Sequence, residues 1–293
     1  MPNFRLICTL LATSSLTLIS NAAADDFANF ESRIKHDDNV GNSRVRYAVT
    51  DTVVANTLRF GRIIDIGEDP YLLTFNGKLN NQTYHRLDGL NQLAVGVGVD
   101  LKKKLGLGPY APIVAANINF ERQQFQQEDK NLNVQVLELR ASKRVWDELN
   151  LSIHASTERR HAADNNSVKP GLSGAVYDGS NRQLSLNADY TCWANSILSL
   201  QYSIRRGDLV VSTITNSAAI INVAKAIRPD PAFGSDRDAY KVEGEIKSLG
   251  LSFTYPLTAR WELQLDRQQH QSTVVNGVKY DRHAYSLAAR YQF

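Results

Sequence analysis

The last nine residues of the chain read Tyr285-Ser286-Leu287-Ala288-Ala289-Arg290-Tyr291-Gln292-Phe293. Apolar side chains stand at every second position, and the residues between them are small or polar. A period of two places neighbouring side chains on opposite faces of a β-strand. The stretch therefore predicts a strand with one polar face and one apolar face. The apolar face consists of Tyr285, Leu287, Ala289, Tyr291 and Phe293.

The same alternation recurs along the whole chain. Leu249, Leu251 and Phe253, for example, alternate with smaller or polar residues. We count twelve such segments and predict an all-β chain. The segments span residues 27–36, 52–66, 71–85, 92–102, 111–123, 132–144, 149–160, 183–192, 196–206, 242–255, 260–270 and 282–293.

The sixth segment departs from this pattern, because its apolar positions change phase between Val136 and Leu137. An extra residue inserted into one strand produces such a shift. The segment therefore predicts either a β-bulge or a strand that begins later than residue 132.

The composition narrows the class of protein. The chain has 293 residues, of which 43% are hydrophobic and 22% charged, with two cysteines and a formal net charge of +3. These values exclude a helical membrane protein, a collagen-like repeat and a disulfide-rich miniprotein. They leave a transmembrane β-barrel open, since its polar and apolar residues average out. The weak net charge gives no reason to expect nucleic-acid binding.

Residues 1–24 have the pattern of a secretory signal peptide. Arg5 precedes an apolar stretch over residues 6–19, and Ala22-Ala23-Ala24 supplies small residues for cleavage. The apolar stretch is shorter than the about 20 residues that a membrane-spanning helix needs. We therefore predict a signal peptide over 1–24 and one barrel domain over 25–293.

The connections between the segments differ in length in an ordered way. Tight connections are 67–70, 145–148, 191–195 and 256–259. The longest connections are 161–182, 207–241 and 271–281. Short turns at one end and long loops at the other are typical of outer-membrane barrels, whereas a β-sandwich has no reason to sort them.

Large aromatic residues cluster at the tight turns. Trp146, Trp193 and Trp261 lie in or beside such a turn, and Tyr71 and Tyr255 lie nearby. Amphipathic rings prefer the headgroup level of a membrane, so we predict that these five form an aromatic girdle at one rim of a barrel. Prolines also stay out of the strand interiors, as a fully paired sheet in lipid requires.

The closing segment ends in Phe293, with Tyr291 two residues earlier and apolar residues at alternating positions. In this it resembles the C-terminal signature of the outer-membrane β-barrel proteins of Gram-negative bacteria. The resemblance implies a closed antiparallel transmembrane β-barrel in the outer membrane, surrounded by its lipids. It also implies that the barrel-assembly machinery reads Tyr285, Leu287, Tyr291 and Phe293. No characterised subfamily is matched, so no substrate residue is implied.

In such a barrel the polar strand faces line the interior, with periplasmic turns short and extracellular loops long. The inward charges carry both signs, which favours ion pairs that brace the wall over a selectivity ring of one sign. These charges are Arg33, Lys78, Asp100, Glu121, Glu138, Arg140, Glu158, Asp189, Arg205, Glu262, Asp266 and Arg290. The small inward residues Gly96, Gly98, Gly250 and Ser252 leave room. An open pore and a packed interior therefore both stay possible interpretations.

The connection 207–241 is unusually apolar for a loop in water, because it contains Leu209-Val210-Val211, Ile220-Ile221 and Val223. One hypothesis is that it folds inward as a constriction or lid. The alternative is that it extends its flanking strands above the membrane.

Few residues suggest catalysis. His154 shares the inward face with Ser152 and Ser156, and Asp281 and His283 lie near the outer rim. Isolated polar pairs on a solvated wall are common, and the histidines show no metal-ligand spacing. We therefore predict no catalytic residue, no metal and no cofactor.

Two functions of different classes follow from these patterns. The first is a narrow, porin-like passive channel for small hydrophilic solutes. The second is a non-conducting surface barrel whose extracellular loops bind a partner or a polysaccharide. A barrel hydrolase is a third hypothesis, and homo-oligomerisation stays open for each of them.

Overall fold

The structure is a computed structural model that describes residues 24–66, 71–167 and 173–293. Within these ranges the chain forms β-strands joined by turns and short 3-10 helices. The strands are β1 (Ala24–Asp37), β2 (Asp51–Asp65), β3 (Tyr71–Tyr84), β4 (Gln92–Lys104), β5 (Ile113–Phe125), β6 (Leu132–Arg144), β7 (Leu149–Ala162), β8 (Gly179–Thr191), β9 (Ile197–Ile214), β10 (Ala226–Pro229), β11 (Arg237–Pro256), β12 (Trp261–Val274) and β13 (Lys279–Gln292). The predicted signal peptide, apart from Ala24, and the predicted turn 67–70 lie outside the described residues.

Twelve of these strands form a closed wall. β1–β9 and β11–β13 each pair with their neighbours along the chain, always antiparallel, and β9 pairs directly with β11. The wall closes because β1 pairs with β13, with Asn29 opposite Gln292. A closed sheet leaves no unpaired edge, which is the condition for a β-structure to cross lipid. The predicted twelve-stranded antiparallel barrel is therefore confirmed.

The outer face of the wall is apolar and exposed. Val97, Leu139 and Leu265 are 62%, 56% and 56% exposed, although they lie in the middle of their strands. So large an exposed apolar surface requires an apolar covering, and hydrocarbon supplies it around a barrel. None of the helical turns in the described ranges is long and apolar enough to cross a membrane.

The two ends of the barrel carry different connections. At the end of the barrel where β1 begins and β13 ends, the connections have four to eight residues, as in 145–148 and 105–112. At the other end, 38–50, 163–178 and 215–236 are longer, whereas 85–91, 126–131 and 275–278 have four to seven residues. By the pattern of outer-membrane barrels, the first end is periplasmic and the second extracellular.

The connection predicted over 271–281 is wrong in length. β12 runs to Val274 and β13 begins at Lys279, so only residues 275–278 join them. Above the apolar belt these strands carry polar residues on both faces, as in Gln268-Gln269-His270-Gln271. Lipid enforces alternation only within the apolar belt. A segment defined by alternation therefore stops before the strand ends.

β9 and β11 are the longest strands and rise above the wall. β8 pairs with β9 only as far as Gly207, and β12 pairs with β11 only as far as Gly244. Beyond these glycines, β9 and β11 pair with each other, and β10 adds a short strand to the free edge of β11. We call residues 208–243 the mouth hairpin.

Gly207 and Gly244 face each other where the mouth hairpin leaves the wall. Gly207 has a φ of +137°, in a region that side chains rarely adopt. A Cβ on Gly207 would overlap the backbone oxygen of Ser180, and one on Gly244 would lie 2.7 Å from the Thr273 oxygen. The two glycines therefore let the backbones of four strands approach closely at the point of departure.

The phase change in β6 has neither of the causes predicted from the sequence. Its pairing with β5 continues without a bulge from Leu132 onwards, and the strand begins at that residue. Val134 and Val136 line an interior cavity, whereas Leu137 is exposed on the outer face. The upper part of β6 thus carries apolar residues inside the barrel, and the lower part carries them outside.

Candidate functional site

The interior wall formed by β12, β13 and β1 is held by a network of ion pairs. Arg33 Nε lies 3.0 Å from Glu31, and the same guanidinium contacts Asp266. Arg290 lies 2.5 Å from the other oxygen of Glu31, and the Ser286 hydroxyl donates to Asp266 at 2.8 Å. Such charge-assisted bonds hold these side chains against the wall.

A second network extends from β3 to β6. Lys78 Nζ lies 2.6 Å from Glu121. Arg140 contacts Asp100 and also lies 3.1 Å from Glu138. Each carboxylate of this network thus lies beside a cation, so the charges neutralise one another locally.

A third group centres on Glu158 of β7, which lies 3.4 Å from Arg160 and 3.5 Å from Arg205 of β9. Among the charges predicted to face the interior, only Asp189 and Glu262 make no ion pair with the described residues. Both line a cavity at the periplasmic end. The interior is therefore a wall of paired charges with few free ones.

Several charged residues that face the interior were not predicted from the sequence. Lys35 and Arg282 lie 3.1 Å and 2.5 Å from Asp37, which is buried. Arg59 of β2 lines an interior cavity. Asp37 and Arg282 lie at or beyond the edges of the predicted segments, so longer strands with the same parity would have found them.

Polar cavities lie along the interior. One cavity, of about 600 Å³, lies at the periplasmic end against β6–β9 and β11–β13. A cavity of about 250 Å³ lies nearer the mouth and shares Gln201, Gly250 and Gln268 with the first, so the two adjoin. A further cavity of about 380 Å³ lies against the wall from β2 to β7 and includes Gly96. Gly96 and Gly250 thus adjoin open space, whereas the side chains of Asn76 and Asn119 fill the space beside Gly98.

One face of the mouth hairpin is buried against the outer end of the wall. Leu209, Val211 and Tyr240 form an apolar cluster with Val274 of β12 and Tyr280 of β13. Tyr240, Val211 and Val274 are almost completely buried. This face is therefore packed as in the core of a water-soluble domain.

The other face of the mouth hairpin reaches the interior of the barrel. Val210 and Ala239 belong to one apolar cluster with Leu132 and Val134, which face inward on β6. Tyr177 of the connection 163–178 joins the same cluster. The hairpin therefore extends its strands above the membrane and also folds inward across the mouth.

Polar contacts tie the mouth hairpin to the neighbouring connections. Lys130 Nζ lies 2.7 Å from Asp230, and both side chains are almost fully buried. Arg228 lies 3.2 Å from Asp129 and 3.1 Å from Asp164. These ties join three separate connections at the extracellular end.

The Lys130–Asp230 pair is desolvated. Burial lowers the pKa of Lys130 from its ordinary value, although Asp230 favours the charged form. Lys130 also donates to the Tyr177 hydroxyl at 2.6 Å, and burial raises the pKa of Tyr177. A buried pair of this kind is costly to break, because the remaining partner is left charged without a counter-ion.

One arrangement has the order of a nucleophile, a base and an acid. Ser152 Oγ lies 3.1 Å from His154 Nε2, and His154 Nδ1 lies 3.7 Å from Glu138. The sequence missed Glu138 because only strand pairing brings it beside His154. However, 3.7 Å is too long for a hydrogen bond, and Arg140 already holds Glu138. The backbone N–H groups beside Ser152 are also used in the sheet, so the arrangement belongs to the ion-pair wall.

In the second polar pair, Asp281 accepts from the Gln271 amide at 3.4 Å. The ring atom Nδ1 of His283 is buried and makes no hydrogen bond with the described residues. In the described ranges, no group of three histidine, cysteine or carboxylate side chains is arranged to hold a metal ion.

All five predicted girdle residues lie at the periplasmic end. They are Tyr71, Trp146, Trp193, Tyr255 and Trp261. Trp146 and Trp193 are 62% and 73% exposed. The ring centroids of Trp261 and Tyr291 are 4.8 Å apart, and those of Tyr291 and Phe293 are 5.0 Å apart. The terminal strand thus adds its aromatic residues to the same rim.

Comparison with known proteins identifies the fold. No family model matches the chain, and no curated protein matches it. An outer-membrane channel from Pseudomonas putida F1 has a TM-score of 0.59 and 10% sequence identity, covering 97% of this chain and 100% of that one. The NanC porin has a TM-score of 0.50 and 8% identity, covering 90% of this chain and 100% of its own. The chain therefore has the fold of an outer-membrane β-barrel.

Proposed function

We propose that this barrel is a narrow passive channel for small hydrophilic solutes and that the mouth hairpin narrows its outer opening. The observation that carries the proposal is the pair of adjoining polar cavities that extends from the periplasmic end towards the mouth. A barrel that served only as a structural wall has its interior filled by side chains.

The ion pairs support this function. Because most inward charges are held against the wall, the surface shared by the two cavities consists of groups such as the amides of Gln201 and Gln268. Amides exchange hydrogen bonds with a passing solute without binding it tightly. Passage requires such weak binding, since a solute must leave each position as readily as it enters.

The test is solute entry into liposomes that contain the purified full-length chain, together with conductance across planar bilayers. We expect small sugars to enter and larger ones to be excluded. Gly250→Trp places a bulky side chain where the two cavities meet and should reduce both signals. The matched control is Leu251→Trp, which changes the next residue on the lipid-facing side. No solute entry with the unmodified chain would refute the channel.

The second candidate is a non-conducting surface barrel whose extracellular connections bind a partner or a polysaccharide. The buried Lys130–Asp230 pair and the two packed faces of the mouth hairpin favour it, because they close the extracellular end with a rigid surface. The liposome experiment separates the two candidates directly.

We also propose that residues 1–24 are removed as a signal peptide and that the barrel-assembly machinery recognises β13. Tyr285, Leu287, Tyr291 and Phe293 support recognition, since they share one parity along β13 and Tyr285, Leu287 and Phe293 are exposed. Phe293→Ala should slow insertion by the purified machinery into lipid vesicles. Gln292→Ala, with the opposite parity, should leave the rate unchanged.

A further inference from the structure

Arg59, like Asp189 and Glu262, is an interior charge that makes no ion pair with the described residues. It lines the cavity of about 380 Å³ together with the charged residues Lys78, Glu121 and Glu158. Each of those three makes an ion pair, whereas Arg59 makes none with the described residues. Its side chain is exposed to the interior. The cavity therefore contains one free guanidinium group.

The strand pairing explains why Arg59 stays free. Arg59 is opposite Lys78, which is opposite Gly96, which in turn is opposite Glu121. Because Gly96 has no side chain, Lys78 reaches across it to Glu121 at 2.6 Å. Glu121 also accepts from Gln123 at 2.6 Å. Both of its oxygens thus already accept from other residues, and Glu158 pairs with Arg160 and Arg205, so neither carboxylate of the cavity pairs with Arg59.

Amide groups lie beside this arginine. Asn76 and Asn119 line the same cavity on either side of Gly98. A Cβ on Gly98 would overlap the Asn119 side chain and lie 2.9 Å from that of Asn76. The Asn76 amide makes no hydrogen bond with the described residues. Gly98 therefore leaves the space that these two amides fill on the wall of the cavity that Arg59 also lines. The Asn119 amide also donates to Asn117.

We propose that this cavity is a binding subsite for small hydroxylated carboxylates and that Arg59 gives the channel a preference for anions; the second half of this inference rests on the proposed function. A planar guanidinium donates two parallel hydrogen bonds to a carboxylate, which no amide or ammonium group does. The amides of Asn76 and Asn119 both donate and accept, so they match hydroxyl groups.

The first experiment measures selectivity. In planar bilayers with a potassium chloride gradient, the chain should favour chloride over potassium, and Arg59→Gln should lower that permeability ratio by about fivefold. In liposomes, gluconate should enter faster than sorbitol, which is similar in size and uncharged. Arg59→Gln should abolish the advantage of gluconate and leave sorbitol entry unchanged.

The matched control is Arg62→Gln. Arg62 lies on the opposite face of the same strand, pairs with Asp26 and is half exposed, so the variant removes an equal charge outside the interior. We expect it to keep both the permeability ratio and the advantage of gluconate. A control that lowers them as much as Arg59→Gln would overturn the inference.

A second experiment does not depend on conduction. Isothermal titration of the detergent-solubilised barrel with gluconate should show binding that Arg59→Gln weakens by about tenfold and Arg62→Gln leaves intact. If the chain does not conduct and the two variants still differ in gluconate binding, the channel is refuted and the subsite is supported. Equal binding by the two variants would refute the subsite even in a conducting channel.

Discussion

The lower and upper parts of β9 and β11 are continuous strands in two different environments. Below Gly207 and Gly244, one face is apolar and exposed, as at Leu200 and Leu251, and the other is polar, as at Gln201. One side of the sheet meets lipid there, and the other meets the interior. The alternation of the sequence follows directly from these two surroundings.

Above the two glycines, both faces are covered by protein. Leu209 and Val211 pack on the tops of β12 and β13, while Val210 packs towards the inner wall of β6. In β9 the sequence here is apolar at three consecutive positions, Leu209-Val210-Val211, as in strands buried on both faces. The comparison shows that loss of alternation in a barrel strand marks the level at which the strand leaves the membrane wall.

The largest expected effect comes from removing the mouth hairpin. Deletion of residues 212–236 takes away the upper part of the mouth hairpin, including Arg228 and Asp230, which tie it across the mouth to neighbouring connections. The lower strands stay in place, so single-channel conductance should rise several-fold. A chain in which the same residues are replaced by a glycine-serine linker of equal length separates packing from length. An unchanged conductance in both variants would show that the hairpin does not narrow the channel.

Lys130→Met should open the mouth hairpin locally. It removes one partner of a buried ion pair, which costs about 3–5 kcal/mol. The measurement is hydrogen exchange at the backbone amides of the hairpin, such as that of Thr215, which donates to Asp236.

The control for that variant is Lys225→Met. Lys225 pairs with Asp208 and Glu243 but is nearly half exposed, so its loss should cost about 0–1 kcal/mol. Equal exchange in the two variants would show that burial of the Lys130 pair does not hold the hairpin closed.

Gly207→Ala tests the point at which the two environments meet. The positive φ and the overlap with the Ser180 oxygen should lower the free energy of unfolding by about 1–3 kcal/mol. Gly250→Ala, in the lower part of β11, places its Cβ 3.7 Å from the nearest atom and should change stability by less than about 0.5 kcal/mol. Denaturant unfolding in detergent measures both, and equal losses would contradict the special role of Gly207.

The smallest effect concerns pH. A backbone hydrogen bond from Asn166 and the guanidinium of Arg228 lower the pKa of Asp164 from 3.8. A carboxyl group with a lowered pKa contributes stability above its ordinary pKa and loses it only as the pH falls through the lowered value. Hydrogen-exchange protection of the hairpin should therefore be constant between about pH 8 and about pH 5. Loss of protection near pH 6 would show that protection of the hairpin depends on a group other than Asp164.

The wall of the barrel is predictable from the sequence because its two environments repeat along every strand. β13 shows this most clearly, since Leu287 meets lipid and Ser286 binds an interior carboxylate. The polar strand ends above the lipid are harder to predict, as β12 shows, because nothing there enforces alternation. Strand parity is therefore reliable within the apolar belt and weak outside it.

The mouth hairpin and the free arginine are less accessible to sequence reasoning. The inward apolar residues of β6 are explained only by Val210 and Ala239, far along the chain. Whether Arg59 is paired depends on Lys78 reaching across Gly96, a relation that only the register of three strands defines. Contacts of this kind join residues that are far apart in the chain. They depend on the closed topology, so no local sequence pattern reveals them.

The pairing of β1 with β13 has a consequence for biogenesis. Asn29 needs Gln292 as its partner, so the first strand made cannot complete its hydrogen bonds until the last one has been synthesised and delivered. Loop-closure entropy also disfavours joining such distant segments early. The wall therefore cannot close before β13 is present, so the pairing that removes the last open edge of the sheet is also the last that can form.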